Sequence, residues 1–251
     1  MLNNLNVYYF SPTGGTRKIA EELGKNLSKS VNMVDLCNKD FPNNEESDLI
    51  IVAAPVFSGR IPGFVTAKLE KLAIEGKKAV TLIVYGNRAY EDALLELNDT
   101  LKKKGCLIIS SGVFVAQHSL APEIAKGRPE ETDLAEVRNY ARDILKKLDK
   151  AEFSSVNVPG NFPYKEIKKS IVTPISTDMC NKCVECARVC PVEAISIKGS
   201  VETDPGKCFL CASCIKVCPM DARILPPPLS EGMKKMAEML KNTRNGNEIF
   251  I

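Results

Sequence analysis

Eight of the ten cysteines in this chain fall between Cys180 and Cys218, and their spacing constrains the fold more than any other feature. They form two copies of one pattern, C-x2-C-x2-C-x3-C-P, which end at Pro191 and Pro219. At this density, cysteines in a chain that begins without a secretion signal indicate metal binding rather than disulfides.

The spacing predicts two 4Fe-4S clusters. Three cysteines separated by two residues can wrap one cluster, and the fourth, three residues further on, ligates the other cluster. We therefore expect cluster I to be held by Cys180, Cys183, Cys186 and Cys218, and cluster II by Cys208, Cys211, Cys214 and Cys190. Two zinc sites are the alternative, but zinc usually takes paired C-x2-C units across a longer spacer.

The first 150 residues alternate between short apolar runs and amphipathic segments. The runs predict strands over residues 5–10, 31–36, 48–54, 79–85 and 107–116. The amphipathic segments predict helices over residues 16–29, 64–73, 90–104 and 130–150. Such alternation is typical of an α/β fold with a doubly wound, five-stranded parallel sheet. Ligands of such sheets bind beyond the carboxyl ends of the strands.

The pattern changes after residue 150, which predicts a domain over residues 1–150. Residues 151–175 are rich in proline and lack periodicity, so we expect a linker or an extended covering segment. The cysteine module occupies residues 176–228, and residues 229–251 form a helix and tail. The helix, predicted over residues 230–243, carries Met233, Met236 and Met239 on a face that we expect to pack against the protein.

The loop after the first strand offers a phosphate site. It contains Ser11, Thr13, Gly14, Gly15 and Thr16 between a strand end and a helix start. Hydroxyls, free backbone N–H groups and the positive end of a helix favour phosphate. The loop is neither a Walker A motif nor G-x-G-x-x-G, and it resembles the S-x-T-G-x-T phosphate loop of flavodoxins, which implies FMN. An ordinary glycine-rich turn is the alternative.

Two further loops follow the third and fourth strands, and the same resemblance implies that they hold the isoalloxazine ring. They contain Pro55, Val56, Phe57, Ser58 and Gly59 in one loop, and Gly86, Asn87, Arg88, Tyr90 and Asp92 in the other. Gly59 and Gly86 can let the backbone approach the ring closely. Phe57 or Tyr90 can lie against a ring face, with plain packing as the alternative for each. Asn87 can bond the pyrimidine edge.

The order of parts resembles the flavodoxin–ferredoxin fusion proteins of anaerobic bacteria and archaea. The resemblance rests on the three loops, on Gln117-His118-Ser119, on Pro159-Gly160-Asn161 and on the cysteine repeats. It implies a flavodoxin-like FMN domain and a small α+β ferredoxin-like domain with two 4Fe-4S clusters. His118, the single histidine, is either a hydrogen-bonded loop residue or a flavin neighbour.

Composition narrows the function classes. A net charge of +3, without a basic stripe, argues against nucleic acid. No apolar run approaches the roughly 18 residues of a transmembrane helix. The first ten residues are typical of a strand and not of a signal peptide, so we expect a cytoplasmic protein.

The functional expectation is an electron-transfer protein that passes electrons between two 4Fe-4S clusters and FMN. The alternative is an FMN-dependent reductase of a small substrate, fed through the clusters. A pocket above the flavin favours the reductase, and a flavin edge covered by the chain's own segments favours the carrier. A ferredoxin fused to a structural α/β domain is a third reading. A redox partner protein or a small-molecule acceptor is expected, and the sequence leaves catalytic residues and oligomeric state open.

Overall fold

The computed structural model describes residues 1–38, 47, 49–151, 153–167 and 170–251. The first residue of the strand predicted over 48–54 lies outside these ranges. Five parallel strands form the centre of the molecule: β1 (Leu2–Tyr9), β2 (Ser28–Asp35), β3 (Leu49–Pro55), β4 (Lys78–Tyr85) and β5 (Leu107–Val115). Their order is β2-β1-β3-β4-β5, the order of flavodoxin-like doubly wound sheets. The predicted α/β class is confirmed.

Helices cover both faces of this sheet. They are α1 (Gly15–Leu27), α2 (Gly63–Leu69), α3 (Ala93–Lys103) and α4 (Glu131–Lys150). All seven residues of β3 are buried, as expected for a central parallel strand between two helical layers. In α1, Ile19, Leu23 and Leu27 share one face and are fully buried. The helical period therefore places the core on both sides of the sheet and leaves the strand ends for the loops.

The sheet has a sixth strand that the sequence did not indicate. Residues Glu248–Phe250 form β10, which pairs antiparallel with β5 at the sheet edge. Three residues are too few to show a period, so only the fold reveals that the C-terminal tail returns to the first domain.

The cysteine module is a small α+β unit. It contains two short antiparallel sheets of two strands each, which flank two single-turn helices. One sheet pairs the first strand of the module with its last, and the other pairs the two strands between them. The elements are β6 (Ile175–Ser176), α5 (Glu185–Arg188), β7 (Ile195–Lys198), β8 (Ser200–Thr203), α6 (Ser213–Lys216) and β9 (Arg223–Ile224).

The last helix, α7, spans Pro227–Leu240 and differs from expectation in two ways. It begins three residues earlier than predicted, because proline suits the first helical position, where no N–H is needed. Its methionine face is only loosely packed: no residue of α7 is buried, and Met239 is 75% exposed.

The linker lies along the first domain over much of its length. Val156 is buried, and Phe153 and Val158 pack against the two core layers. Tyr164 donates its hydroxyl to Asp99 at 2.7 Å. This segment is therefore a covering strap, although Phe162 remains 75% exposed.

Candidate functional site

The cysteine module encloses two thiol-lined cavities. The lining of cavity I includes Cys180, Cys183, Cys186 and Cys218. The lining of cavity II includes Cys190, Cys208, Cys211 and Cys214. Each cavity therefore takes three cysteines from one repeat and the fourth from the other.

The backbone of the two repeats is alike at its strained positions. Val184 and Ala212 follow the second cysteine of each repeat and have φ of 64° and 66°. Lys182 and Leu210 precede that cysteine with φ of 59° and 60°. Left-handed backbone is costly for residues other than glycine, and it persists where a ligand site requires it. Such conformations turn successive N–H groups to one side and form a nest for an anion.

The donor set suits a thiolate-ligated cluster. Four thiols face each cavity, and the rest of each lining is mostly apolar. Thiolate sulfur is the ligand that iron–sulfur clusters take. Among the residues that the structure describes, no three His, Cys, Asp or Glu side chains form a site for a single metal ion. Burial raises the pKa of the Cys186 and Cys214 thiols, and the nearby Arg223 charge acts in the opposite direction.

A second site lies at the carboxyl ends of β1, β3, β4 and β5. A pocket there is lined by Pro12, Thr13, Gly15, Thr16, Pro55, Val56, Phe57, Val84, Tyr85, Gly86, Ala116, Gln117 and Ser119. A larger cavity shares Thr13, Gly15, Gln117 and Ser119 with it. The two cavities together form one cleft, which we call the strand-end cleft.

The start of α1 opens into this cleft and is suited to a phosphate. Gly14 is the N-cap residue with φ 97°, so the N-cap brings no side chain to the helix, and no acidic residue lies in its first turn. The helix start therefore offers its dipole and the N–H groups of Gly15 and Thr16 to an anion. A Cβ on Gly15 would lie 2.7 Å from that of Ala116, so glycine is required there. Ser11, expected at the phosphate, accepts the Arg17 N–H at 2.9 Å instead and holds the turn.

Two side chains of the loop after β4 that were predicted to contact the flavin bind the C-terminal segment instead. Asn87 is buried, and its amide donates to the Thr243 carbonyl at 2.7 Å while its oxygen accepts from the Asn245 N–H at 3.0 Å. The side chain expected at the pyrimidine edge of the flavin therefore binds the C-terminal segment. Tyr90 packs edge-on against Tyr85 and donates its hydroxyl to Glu248 of β10 at 3.0 Å.

Asp92 anchors the linker. Its two carboxylate oxygens accept the backbone N–H groups of Asn161 at 2.8 Å and Lys165 at 2.7 Å. Burial alone would raise the pKa of Asp92, but these donors hold it below its ordinary value. Beside it, Arg88 forms an ion pair with Glu91 on the surface.

The strand-end cleft is lined by only part of the predicted flavin set. Seven predicted residues do not line it: Ser11, Ser58, Gly59, Asn87, Arg88, Tyr90 and Asp92. The carbonyl of Gly59 instead accepts the Asp92 N–H at 3.0 Å. Sequence placed these residues at the correct strand ends, but the side-chain hydrogen-bond partners of Asn87, Tyr90 and Asp92 lie at least 69 residues away along the chain.

His118 is a hydrogen-bonded loop residue that also lines the cleft. Its Nδ1 accepts the N–H groups of Leu120 at 3.2 Å and Ala121 at 3.1 Å. Two donors at Nδ1 favour the neutral ring with its proton on Nε2. Burial lowers the pKa of His118, which also favours the neutral ring. A Cβ on Gly86 would lie 2.4 Å from the imidazole, so the two residues pack directly.

Comparison with known proteins assigns both halves of the chain. A flavodoxin domain model matches residues 6–107, and a 4Fe-4S dicluster domain model matches residues 179–222. The chain is a flavodoxin–ferredoxin fusion. Its domains are those of electron transfer with FMN and iron–sulfur clusters.

Solved structures resemble the flavodoxin half of the fusion. A flavodoxin from the domain Archaea is 18% identical, with a TM-score of 0.43, over 58% of this chain and 99% of that chain. Flavodoxin 1 from Bacillus cereus is 15% identical, with a TM-score of 0.42, over 57% and 98%. Rubredoxin oxygen:oxidoreductase from Desulfovibrio gigas is 16% identical, with a TM-score of 0.43, over 59% and 36%. No curated protein matches the chain. In its described part, no helix is long and apolar enough to cross a membrane.

Several further residues of the fusion line the cleft. Gln117 and Ser119 flank His118 after β5; the sequence named them only as part of the family resemblance, and their place at a strand end is the signal for a role in the site. Lys18 and Lys216 add positive charge beside the phosphate loop. Lys216 lies on α6 of the cysteine module, about 200 residues from that loop, so no local pattern indicates it.

The cysteine module packs directly on the flavodoxin half of the fusion. Phe209, which lines cavity II, contacts the rings of Phe57 at 5.7 Å and Phe10 at 6.0 Å between centroids. Ser213 donates its hydroxyl to the Pro12 carbonyl at 3.2 Å. Ala212 lines both cavity II and the larger part of the strand-end cleft. Cavity II is therefore the thiol site next to the cleft.

Proposed function

We propose that this fusion passes electrons between two 4Fe-4S clusters and FMN within one folded unit. When bound, the clusters supply one-electron chemistry, and FMN couples it to two-electron chemistry. The set of Cys180, Cys183, Cys186 and Cys218 would hold the cluster of cavity I, and the set of Cys190, Cys208, Cys211 and Cys214 that of cavity II. Within the chain, the residues of cavity II would face the flavin.

The flavin would be held at the strand-end cleft. Thr13 and Thr16 offer hydroxyl donors, and Gly14 and Gly15 offer the open helix start for the phosphate. Phe57 is the aromatic side chain at the ring site, because Tyr90 is committed to β10. Proposed domain limits follow: residues 1–150 form the flavin domain, 151–175 the strap and 176–228 the cluster domain. The last segment, 229–251, completes the flavin domain through β10.

The packing between the two halves is the observation that carries this proposal. Phe209 belongs to the wall of cavity II and packs against Phe57, which belongs to the wall of the cleft. A fixed aromatic contact keeps water out and keeps the separation of the two sites constant. Asp92 and the buried amide of Asn87 hold the strap and the tail, which restrict movement of the module. Because the two halves are held together in this way, electrons can pass between the sites without an encounter between two protein molecules.

The covered edge of the cleft favours a carrier over a reductase. Ala212, Ile215 and Lys216 from the cysteine module form one wall of the larger cavity. A small substrate would compete with these residues for space above the flavin site. Cavity I, by contrast, includes the exposed Cys183, so we assign exchange with a redox partner protein to that end.

The test is pre-steady-state reduction of the protein loaded with clusters and FMN. Dithionite reduces the clusters, and flavin absorbance is followed by stopped flow at several protein concentrations. We expect a rate that does not depend on protein concentration. Flavin reduction that is second order in protein would refute intramolecular transfer.

A matched pair of variants tests the contact. Phe209→Ala removes ring contacts with three aromatic residues, Phe10, Phe57 and Phe64, each worth about 0.5–1.5 kcal/mol. We expect flavin reduction at least about tenfold slower with FMN and iron content retained. Phe162→Ala, at a 75% exposed position in the strap, is the control and should leave the rate unchanged. Equal rates for the two variants would remove Phe209 from the proposal.

A further inference from the structure

Arg223 is a buried charge between the two thiol cavities. Its side chain is 1% exposed and lines cavity I. Its Nη2 lies 3.9 Å from Sγ of Cys214, which lines cavity II. One guanidinium group therefore faces both sites.

Among the described residues, no Asp or Glu carboxylate pairs with this charge. Arg223 donates to two neutral hydroxyls, Ser176 at 3.1 Å and Thr203 at 2.7 Å. Its Nε is buried and makes no hydrogen bond. Within the described ranges no ion pair involves Arg223, although burying an unpaired charge costs several kcal/mol. A buried cation with a free donor is retained where an anion offsets that cost.

The internal repeat shows that the fold of the module does not demand an arginine here. Ala222-Arg223 corresponds to Ala194-Ile195 in the first repeat. Ile195 lines cavity II in the way that Arg223 lines cavity I. An apolar, half-exposed residue thus occupies the equivalent position beside cavity II, and the buried charge is particular to the second repeat.

We propose that Arg223 is the internal counter-charge of both clusters and raises their reduction potentials. The proposal rests on the proposed function, since it requires a cluster in each cavity. Reduction adds negative charge to a thiolate-ligated cluster, and a fixed cation a few ångströms away stabilises the reduced form. Arg223 would therefore act on the clusters through its electrostatic field and not as a ligand.

The test is a redox titration of the holoprotein monitored by EPR, with two substitutions at one position. Arg223→Gln keeps hydrogen-bond donors but removes the charge, and Arg223→Lys keeps the charge. For Gln we expect the reduction equilibrium constant of each cluster to fall tenfold or more, which is about 59 mV for a one-electron couple. For Lys we expect a change of less than about threefold. Potentials unchanged in the Gln variant, or shifted equally in both variants, would overturn the proposal.

Iron and sulfide analysis separates this proposal from the one on which it rests. A wild-type protein that binds fewer than two clusters refutes the proposed function itself. Two clusters with unchanged potentials in Arg223→Gln refute only the role of Arg223. If the Arg223 variants do not retain clusters, the reciprocal Ile195→Arg, at a half-exposed position beside cavity II, decides the matter. A rise in potential supports the counter-charge, and an unchanged or lower potential contradicts it.

Discussion

Replacing Asp92 with asparagine separates two roles for the loop after β4. If Asp92 belongs to the flavin site, as its strand-end position suggested, the substitution weakens FMN binding. In the structure its carboxylate instead accepts N–H groups from Asn161 and Lys165 of the strap. We therefore expect Asp92→Asn to loosen the strap and to leave FMN affinity within about twofold of wild type.

The magnitude follows from the number and kind of hydrogen bonds. A hydrogen bond to a charged group contributes about 1.5–3 kcal/mol, and the side chain is only 2% exposed. Asparagine keeps one acceptor and turns its amide donors toward the second N–H group, so at least one such bond is lost. Since about 1.4 kcal/mol is a factor of ten, local opening of the strap should rise roughly ten- to a hundredfold.

Hydrogen exchange at the Asn161 and Lys165 amides measures this opening. The pKa of Asp92 is lowered in the folded state, so its contribution is fully present above the ordinary carboxyl pKa of about 3.9 and is lost as pH falls through the folded value. Wild-type protection should therefore decline in acid, and the Asn variant should lack that pH dependence.

The control is Asp143→Asn on α4, which removes an exposed ion pair with Lys146 and should change stability by less than about 1 kcal/mol. An FMN affinity that falls tenfold in Asp92→Asn, with strap exchange unchanged, would refute the reasoning and return Asp92 to the flavin site.

Two further predictions concern the ligands. Cys190→Ser should damage the cluster of cavity II, and Cys218→Ser should damage the cluster of cavity I; EPR of the reduced variants measures both. If Cys190→Ser damaged only the cluster of cavity I, and Cys218→Ser only that of cavity II, the exchange of ligands between repeats would be contradicted. Thr13→Ala combined with Thr16→Ala removes two hydroxyl donors worth about 1.5–3 kcal/mol each, so FMN affinity should fall more than tenfold with the clusters intact, and an unchanged affinity in a flavin titration would exclude this loop as the phosphate site.

Sequence alone determined the features that depend on neighbouring residues. The alternation of buried strands and amphipathic helices predicted the parallel sheet, because side-chain period and burial are linked locally. The spacing of the cysteines also acts locally. Gaps of two residues bring three cysteines of one short loop to the same cavity, and the known ligand pattern assigns the fourth to the other repeat. The phosphate loop belongs to the same class, since a strand end, glycines and a helix start lie within eight residues, from Tyr9 to Thr16.

Tertiary structure decided the roles of side chains whose partners are remote. Asn87 meets Thr243 across 156 positions of the chain, and Tyr90 meets Glu248 across 158. Neither pairing leaves a periodic signal, so both residues looked like flavin contacts from their place after β4. The three-residue β10 was invisible for the same reason.

The role of Arg223 could not be predicted from the sequence. In the sequence it is one residue of a small-residue step after the second cysteine repeat. Only the packing of β9 between two cavities makes it a buried charge without a carboxylate partner in the described chain. A sequence pattern specifies which face of an element is buried. The position of that face relative to other buried groups depends on how the elements assemble, and the electrostatic role of Arg223 depends on that assembly.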